Sequence, residues 1–381
     1  MHGQPYSPTP YRPSRLSREA SLRIAAEAMN IIVPNGEPVG ILTGYDQALT
    51  WLETERPNLL ATATAEGVRV TDLSMILLRY LDLRGYHDDA LALHTHALAQ
   101  ATGDPKLECQ ARCNLGTAYE RLGRYEDAVV HLTHALALAG RDSRLESRVL
   151  NNLGNVSLQL GRHGDALVQY RRALTLTDDN PVSQGHTANN LGIVYERLGR
   201  YDDSVRAHQQ ALTLARDTKD VAGQGYALHS LGIVYERMGR YSEAYDQLLD
   251  ALRIARDTGN RNLEGYATHG LGTVHYRLGQ HADAFAQLEH ALTVARLTRN
   301  RGLEAEVLNS LGEITHDPTY HQLALIIAEE TGDRYQQALA HHGLARHGSE
   351  AHWPVALTLY TECGVPEALD LTMGNPRCVE D

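Results

Sequence analysis

The side chains of this sequence that could do chemistry return at a fixed interval. Counted back from a recurring Leu-Gly pair, one helical position is filled by Cys113, Asn151, Asn189, His229, His269, Asn309 and His342. Three residues earlier stand Arg148, His186, Tyr226, Tyr266 and Glu306, and a third column near the end of the same segment holds Arg121, Arg197, Arg237 and Arg277. An asparagine amide both donates and accepts, so a row of them can grip an extended peptide backbone whatever its side chains. Guanidinium groups in register would favour acidic partner side chains. Each column also has a plainer reading. Asn and His can simply face water on an open surface. Arg121, Arg197 and Arg237 each follow a Glu at the C-terminal end of a helix, where a cation gains about 0.3–1 kcal/mol from the dipole.

Other chemistry is excluded or weakly supported. The twenty histidines include a late group, His316, His321, His341, His342, His347 and His352, and a close pair, His131 and His134. Neither set repeats a fixed spacing with carboxylate or thiolate support, so no metal site is expected. Groove histidines would still titrate near neutrality. Cys109 and Cys113 lie one helical turn apart without a matching pair, and four cysteines are too few for a disulfide scaffold. No GxSxG, HExxH, CxxC or GxxxxGK[ST] segment occurs, which argues against an enzyme and against any cofactor.

The elements that must position these columns are set by the period. Leu115-Gly116, Leu153-Gly154, Leu191-Gly192, Leu231-Gly232, Leu271-Gly272 and Leu311-Gly312 recur every 38 to 40 residues. A repeat of that length marks a solenoid, in which each unit buries its apolar face only by stacking on the next. Leu and Ala dominate, a single Phe is present and β-branched runs are missing, so the fold is all-α. Asp104-Pro105, Asn180-Pro181 and Asp317-Pro318 mark helix starts, and Gly123, Gly161, Gly199, Gly239 and Gly279 close the first helix of each hairpin. Leu77 adds a degenerate hairpin before the six. Leu344, only 33 residues after Leu311, adds a tightened one after them, which makes eight.

The order and spacing of Leu115, Gly116, Tyr119, Gly123, Tyr125, Ala128, Leu132 and Ala135 resemble the tetratricopeptide repeat. That resemblance implies a right-handed α-solenoid whose first helices line a concave groove, with the three polar columns facing it. Asn114, Asn152 and Asn190 are similar to the asparagine of carboxylate-clamp repeats, but the flanking lysines of that clamp are missing, so these three are expected to bond between neighbouring helices. A narrower resemblance rests on Ala48-Leu49-Thr50-Trp51-Leu52-Glu53-Thr54-Glu55-Arg56-Pro57-Asn58-Leu59-Leu60 and on His352-Trp353 with Tyr360-Thr361-Glu362-Cys363-Gly364-Val365-Pro366. These look like the C-terminal region of large actinobacterial antibiotic-regulatory activators, whose DNA-binding and ATPase modules have no counterpart here. The resemblance implies a regulatory or partner-docking half.

Residues 1–15, with four prolines, are expected to form a tail, 16–70 a helical cap, 71–368 the repeat array and 369–381 a second tail. Within the cap, helices are expected at Ser17–Asn30, Asp46–Glu53 and Pro57–Ala65, with Pro57 in a first turn. The net charge of −12 is spread without a basic cluster, which argues against direct nucleic-acid binding. With no membrane span and no secretory h-region in evidence, a cytoplasmic location is expected. The function this suggests is a non-enzymatic module that binds a protein or peptide segment in its groove and serves transcriptional control of a biosynthetic pathway. The alternative is an assembly scaffold acting through its convex face or ends, where exposed array termini allow a homo-oligomer.

Overall fold

A computed structural model describes residues 18–32, 45–63, 70–176 and 180–369. The described residues form helices only. Two precede the array, α1 (Arg18–Ile32) and α2 (Tyr45–Thr62). Eight hairpins follow: α3 (Val70–Arg84) with α4 (His87–Gln100), α5 (Pro105–Arg121) with α6 (Tyr125–Ala139), α7 (Ser143–Gln159) with α8 (His163–Thr175), and α9 (Pro181–Arg197) with α10 (Tyr201–Asp217). The remaining four are α11 (Val221–Arg237) with α12 (Tyr241–Asp257), α13 (Arg261–Arg277) with α14 (His281–Leu297), α15 (Arg301–Thr315) with α16 (Pro318–Thr331), and α17 (Arg334–Arg346) with α18 (His352–Cys363). The count of eight matches the reading of the repeat, although the shortened turn, His316-Asp317, lies within the seventh hairpin and not the last. The expected tails, apart from Leu369, and the loop up to Thr43 lie outside the described residues.

Local chemistry sets the boundaries. Every first helix from α5 to α17 is capped by Asp or Asn: Asp104, Asp142, Asn180, Asp220, Asn260, Asn300 and Asp333 each accept a backbone N–H from the first turn. Among the second helices α16 alone has such a cap, Asp317, whereas α4, α6, α8, α10, α12 and α14 lack one and carry acids in the first turn, as Glu126 and Asp127 do in α6. The Leu-Gly glycine is a packing device. A Cβ on Gly154 would lie 2.5 Å from Cε1 of Tyr170, and the same crossing is filled by Leu132, His208, Leu248, Leu288 and His321 in the other units.

One element departs from expectation. Pro57 lies inside a single helix, α2, and does not open a second one. The apolar face runs unbroken across it, with Trp51, Leu52 and Leu59 all buried in one core with Leu73, Leu77 and Leu81 of α3. That continuous burial outweighs the hydrogen bond a mid-helix proline removes.

The array also comes back on itself. The turn of each early hairpin abuts the end of the hairpin five units on. A Cβ on Gly85 would lie 2.6 Å from the Thr298 carbonyl oxygen, one on Gly123 2.9 Å from Thr331 Cγ2, and one on Gly161 2.5 Å from Cys363 Sγ. Gly199, in the fourth hairpin, faces Pro366 at 3.2 Å, in the segment that follows the eighth. Gly239 and Gly279 occupy the same place in their units with nothing within 4 Å, since the described chain ends before it could reach them. His163 Nδ1–H donates to the Cys363 carbonyl at 2.7 Å across this seam. Arg237 meets Glu367 and the Tyr335 hydroxyl, each at 3.3 Å.

Candidate peptide-binding lumen

Closure converts the groove into a lumen. Its volume is about 940 Å³, and its walls come from α3 through α17. Of the residues expected to bind, Asn189, Tyr226, His229, Tyr266, His269, Arg121 and Arg197 line it together. His186 and Glu306 of the second column do so too, joined by Asp220, Asp333 and Tyr335 from the helix starts. Asp333 and Tyr335 were missed in the sequence because only curvature brings the far hairpins opposite the near ones, and Asp220 because, as the cap of α11, it stands outside the three columns.

Asn309 is a correction to the groove column. It is 5% exposed, with Nδ2 donating to Gln336 Oε1 at 3.0 Å and Oδ1 accepting from His321 Nδ1 at 3.1 Å. Asn189 likewise accepts from His208 Nδ1 at 2.8 Å while still lining the lumen. Both asparagines therefore satisfy a histidine that stands at the crossing where other units carry Leu. Asn151 turns back to the Ser147 carbonyl at 3.2 Å, its Oδ1 buried without a partner, and it is not part of the lumen wall. Asn114, Asn152 and Asn190 do bond between first helices, to Ser74 at 3.2 Å, Thr117 at 2.9 Å and Asn155 at 3.1 Å.

The arginine column is a ladder between successive first helices. Arg121 Nε donates to Asp82 at 2.6 Å, Arg237 Nε lies 3.3 Å from Glu196, and Arg277 Nε donates to Glu236 at 2.8 Å. Each arginine reaches back to an acid of the preceding hairpin, and Arg237 and Arg277, so held, do not line the lumen. The signal was present in the sequence, where Glu and Arg pair at a separation just above the repeat length. On α7 the Glu-Arg dipeptide is replaced by Leu158-Gln159, and the ladder is interrupted. Arg197 consequently has no acid at the ladder position of α7, which is Leu158. It lies 3.7 Å from Glu196 and stacks over the Tyr335 ring at 4.2 Å.

Electrostatically the lumen is acidic. Asp82, Glu120, Glu196, Asp220, Asp257, Glu306 and Asp333 line it, against Arg121, Arg197 and Arg301. The column's arginines are already engaged by acids, which removes the basis for expecting acidic partner side chains. Burial pushes the Asp333 carboxyl up to about 6, opposed by the backbone N–H of Gln336. Burial also raises Glu120, partly offset by Arg121. The imidazoles run the other way: burial pulls His229 down to about 4 and His208 to about 3. They are neutral at pH 7, so the expected titration near neutrality does not apply to them. His186, more exposed, is held by Asp220 at 2.7 Å. Among the described residues no group of three or more His, Cys, Asp or Glu is placed to hold a metal ion. No described helix is long and apolar enough to cross a membrane.

Family models of the tetratricopeptide repeat match residues 80–140, 107–179, 183–257 and 266–300. The chain belongs to the tetratricopeptide-repeat family. Solved structures similar to this tetratricopeptide-repeat chain include a Rap protein complexed with competence and sporulation factor, at 12% identity and TM-score 0.63, covering 93% of this chain and 97% of that one. The Rap conjugation gene regulator of plasmid pLS20, in complex with the Phr* peptide, gives 15% identity and TM-score 0.59 over 87% and 98%. The apo form of RapI gives 14% and 0.50 over 70% and 100%. At these identities the likeness is one of fold. No curated protein matches the sequence significantly.

Proposed function

We propose that this tetratricopeptide-repeat chain is a non-enzymatic regulatory module that takes an extended peptide segment into its lumen. The observation that carries the reading is the convergence of Asn189, Tyr226, His229, Tyr266, His269, Arg121 and Arg197 on one partly open cavity, whose size falls in the range of ligand sites. Tyr226 and Tyr266 supply amphipathic ring surface, while Asn189 and the neutral His229 and His269 supply hydrogen bonds without a fixed side-chain demand. Fold-level likeness to two Rap proteins solved with a factor or peptide bound supports the same use. The resemblance of the sequence to the C-terminal region of actinobacterial antibiotic-regulatory activators extends the proposal: the capture reports to transcriptional control of a biosynthetic pathway in the cytoplasm, through a protein partner and without direct contact to nucleic acid. Binding would act by shifting the pitch of the superhelix, because the seam across five hairpins is a contact that can be made or lost. Affinity selection of a synthetic peptide library on the purified chain, repeated with Tyr226→Ala plus His229→Ala, tests it. Peptides retained by the parent and lost by the variant are expected; equal retention by both would sink the assignment to the lumen.

A further inference from the structure

We propose that the lumen selects a segment bearing a cationic side chain, Lys or Arg, which enters the ladder at the rung missing on α7 and pairs with Glu120. The inference rests on the peptide-binding reading of the lumen and names the chemistry of its occupant. Where the ladder is complete, it shows what its carboxylates take: Glu196 holds Arg237 at 3.3 Å and Glu236 holds Arg277 at 2.8 Å. Glu120 is the equivalent acid of α5, and the residue that would serve it is Gln159. It is 8% exposed, yet its nearest cation is Arg121 at 3.6 Å, which is already committed to Asp82 at 2.6 Å. Asn155 adds a single neutral hydrogen bond, its Oδ1 being taken by Tyr170 at 2.6 Å and Asn190 at 3.1 Å. A carboxylate in a low-dielectric wall with half a counter-charge is stabilised by any cation that reaches it.

Access and field agree with this placement. Glu120, Leu158 and Gln159 all border the lumen, so the gap faces the cavity. The surplus of carboxylates over guanidiniums disfavours an anionic occupant of the whole space. Glu306, across the lumen, has no hydrogen bond or ion pair to its carboxylate among the described residues, and it adds to the same field.

The test is affinity selection from an equimolar library of synthetic heptapeptides on the full chain, read by mass spectrometry at low and high salt. Lys- and Arg-bearing peptides should be enriched about tenfold over their Glu and Asp counterparts, equivalent to one good charge pair, and the enrichment should fall with salt. Gln159→Arg fills the rung from within: it should keep or raise the melting temperature and abolish the basic preference. Where that variant fails to fold, Glu120→Gln carries the same comparison. Retention of neutral or acidic peptides overturns the inference while leaving the peptide reading intact. A basic preference unchanged in a folded Gln159→Arg or Glu120→Gln chain overturns the site. No retained peptide at all removes the peptide reading and this inference with it.

Discussion

Six glycines stand at the same place in successive hairpins with nearly the same backbone, φ between +71° and +75°, and only some meet a neighbour five units away. Substituting each by Ala separates two effects. Left-handed backbone costs a non-glycine residue about 1–2 kcal/mol wherever it occurs. Gly239→Ala and Gly279→Ala should show that cost alone, because nothing lies within 4 Å of the added methyl. Gly85→Ala drives the methyl to 2.6 Å from a backbone carbonyl oxygen, and Gly123→Ala drives it to 3.2 Å from the Thr331 Cα. Neither neighbour can rotate aside, so overpacking adds roughly 1–3 kcal/mol. Gly161→Ala meets the Cys363 thiol, a movable end, and should fall between the two groups. Urea midpoints rank the variants, and small-angle scattering follows the radius of gyration, which should grow where the seam is forced apart. Equal destabilisation at all the positions, with no change in size, would refute a closed superhelix.

Three further outcomes follow from the same geometry. His94, His163, His208 and His321 are buried, with pKa values pulled down to about 4, 4, 3 and 4 by desolvation. Since the unfolded chain takes up those protons first, stability should fall as pH drops from about 6.5 toward 4, and for His208 toward 3, by up to about 1.4 kcal/mol per pH unit for each histidine. Asp333, raised to about 6, opposes this over part of the range; a melting temperature that is flat or rising on acidification contradicts the burial of the four imidazoles. Asn309→Ala strips partners from Gln336 and His321 and should cost about 1–3 kcal/mol in urea unfolding without changing lumen binding. Arg277→Met breaks the Glu236 rung at a carboxylate that is 8% exposed, so thermal melting should drop by several degrees; an unchanged melting curve would make the ladder incidental.

Much of the fold was legible because the repeat states it several times over. Leu77 and Leu344 could be placed by register alone, and the Asp-Pro and Asn-Pro starts appear as the caps of α5, α9 and α16. Pro57 misled because a local rule for first turns competed with the burial of Trp51, Leu52 and Leu59, which only packing reveals. The groove columns were legible as positions but not as roles. Asn309 has the same place in its repeat as Asn189, yet whether an asparagine faces a lumen or a buried histidine depends on the residue at the helix crossing, Leu in some units and His in others. The closure that sets Asp333 and Tyr335 opposite Arg197 depends on a small rotation added at each hairpin, and no single repeat encodes it in its own residues.

Closure is also what a cross-link reads most directly. A Cβ on Gly161 would stand 3.6 Å from the Cys363 Cβ, within the range a disulfide spans, although the two residues are separated by 202 positions in the chain. The full chain carrying Gly161→Cys, mildly oxidised and mapped by peptide mass spectrometry, should join position 161 to Cys363 within one molecule, while Gly239→Cys should not. Free thiols at both sites in Gly161→Cys, or equal capture of Cys363 by the Gly239→Cys chain, would contradict a lumen closed by the fifth hairpin on.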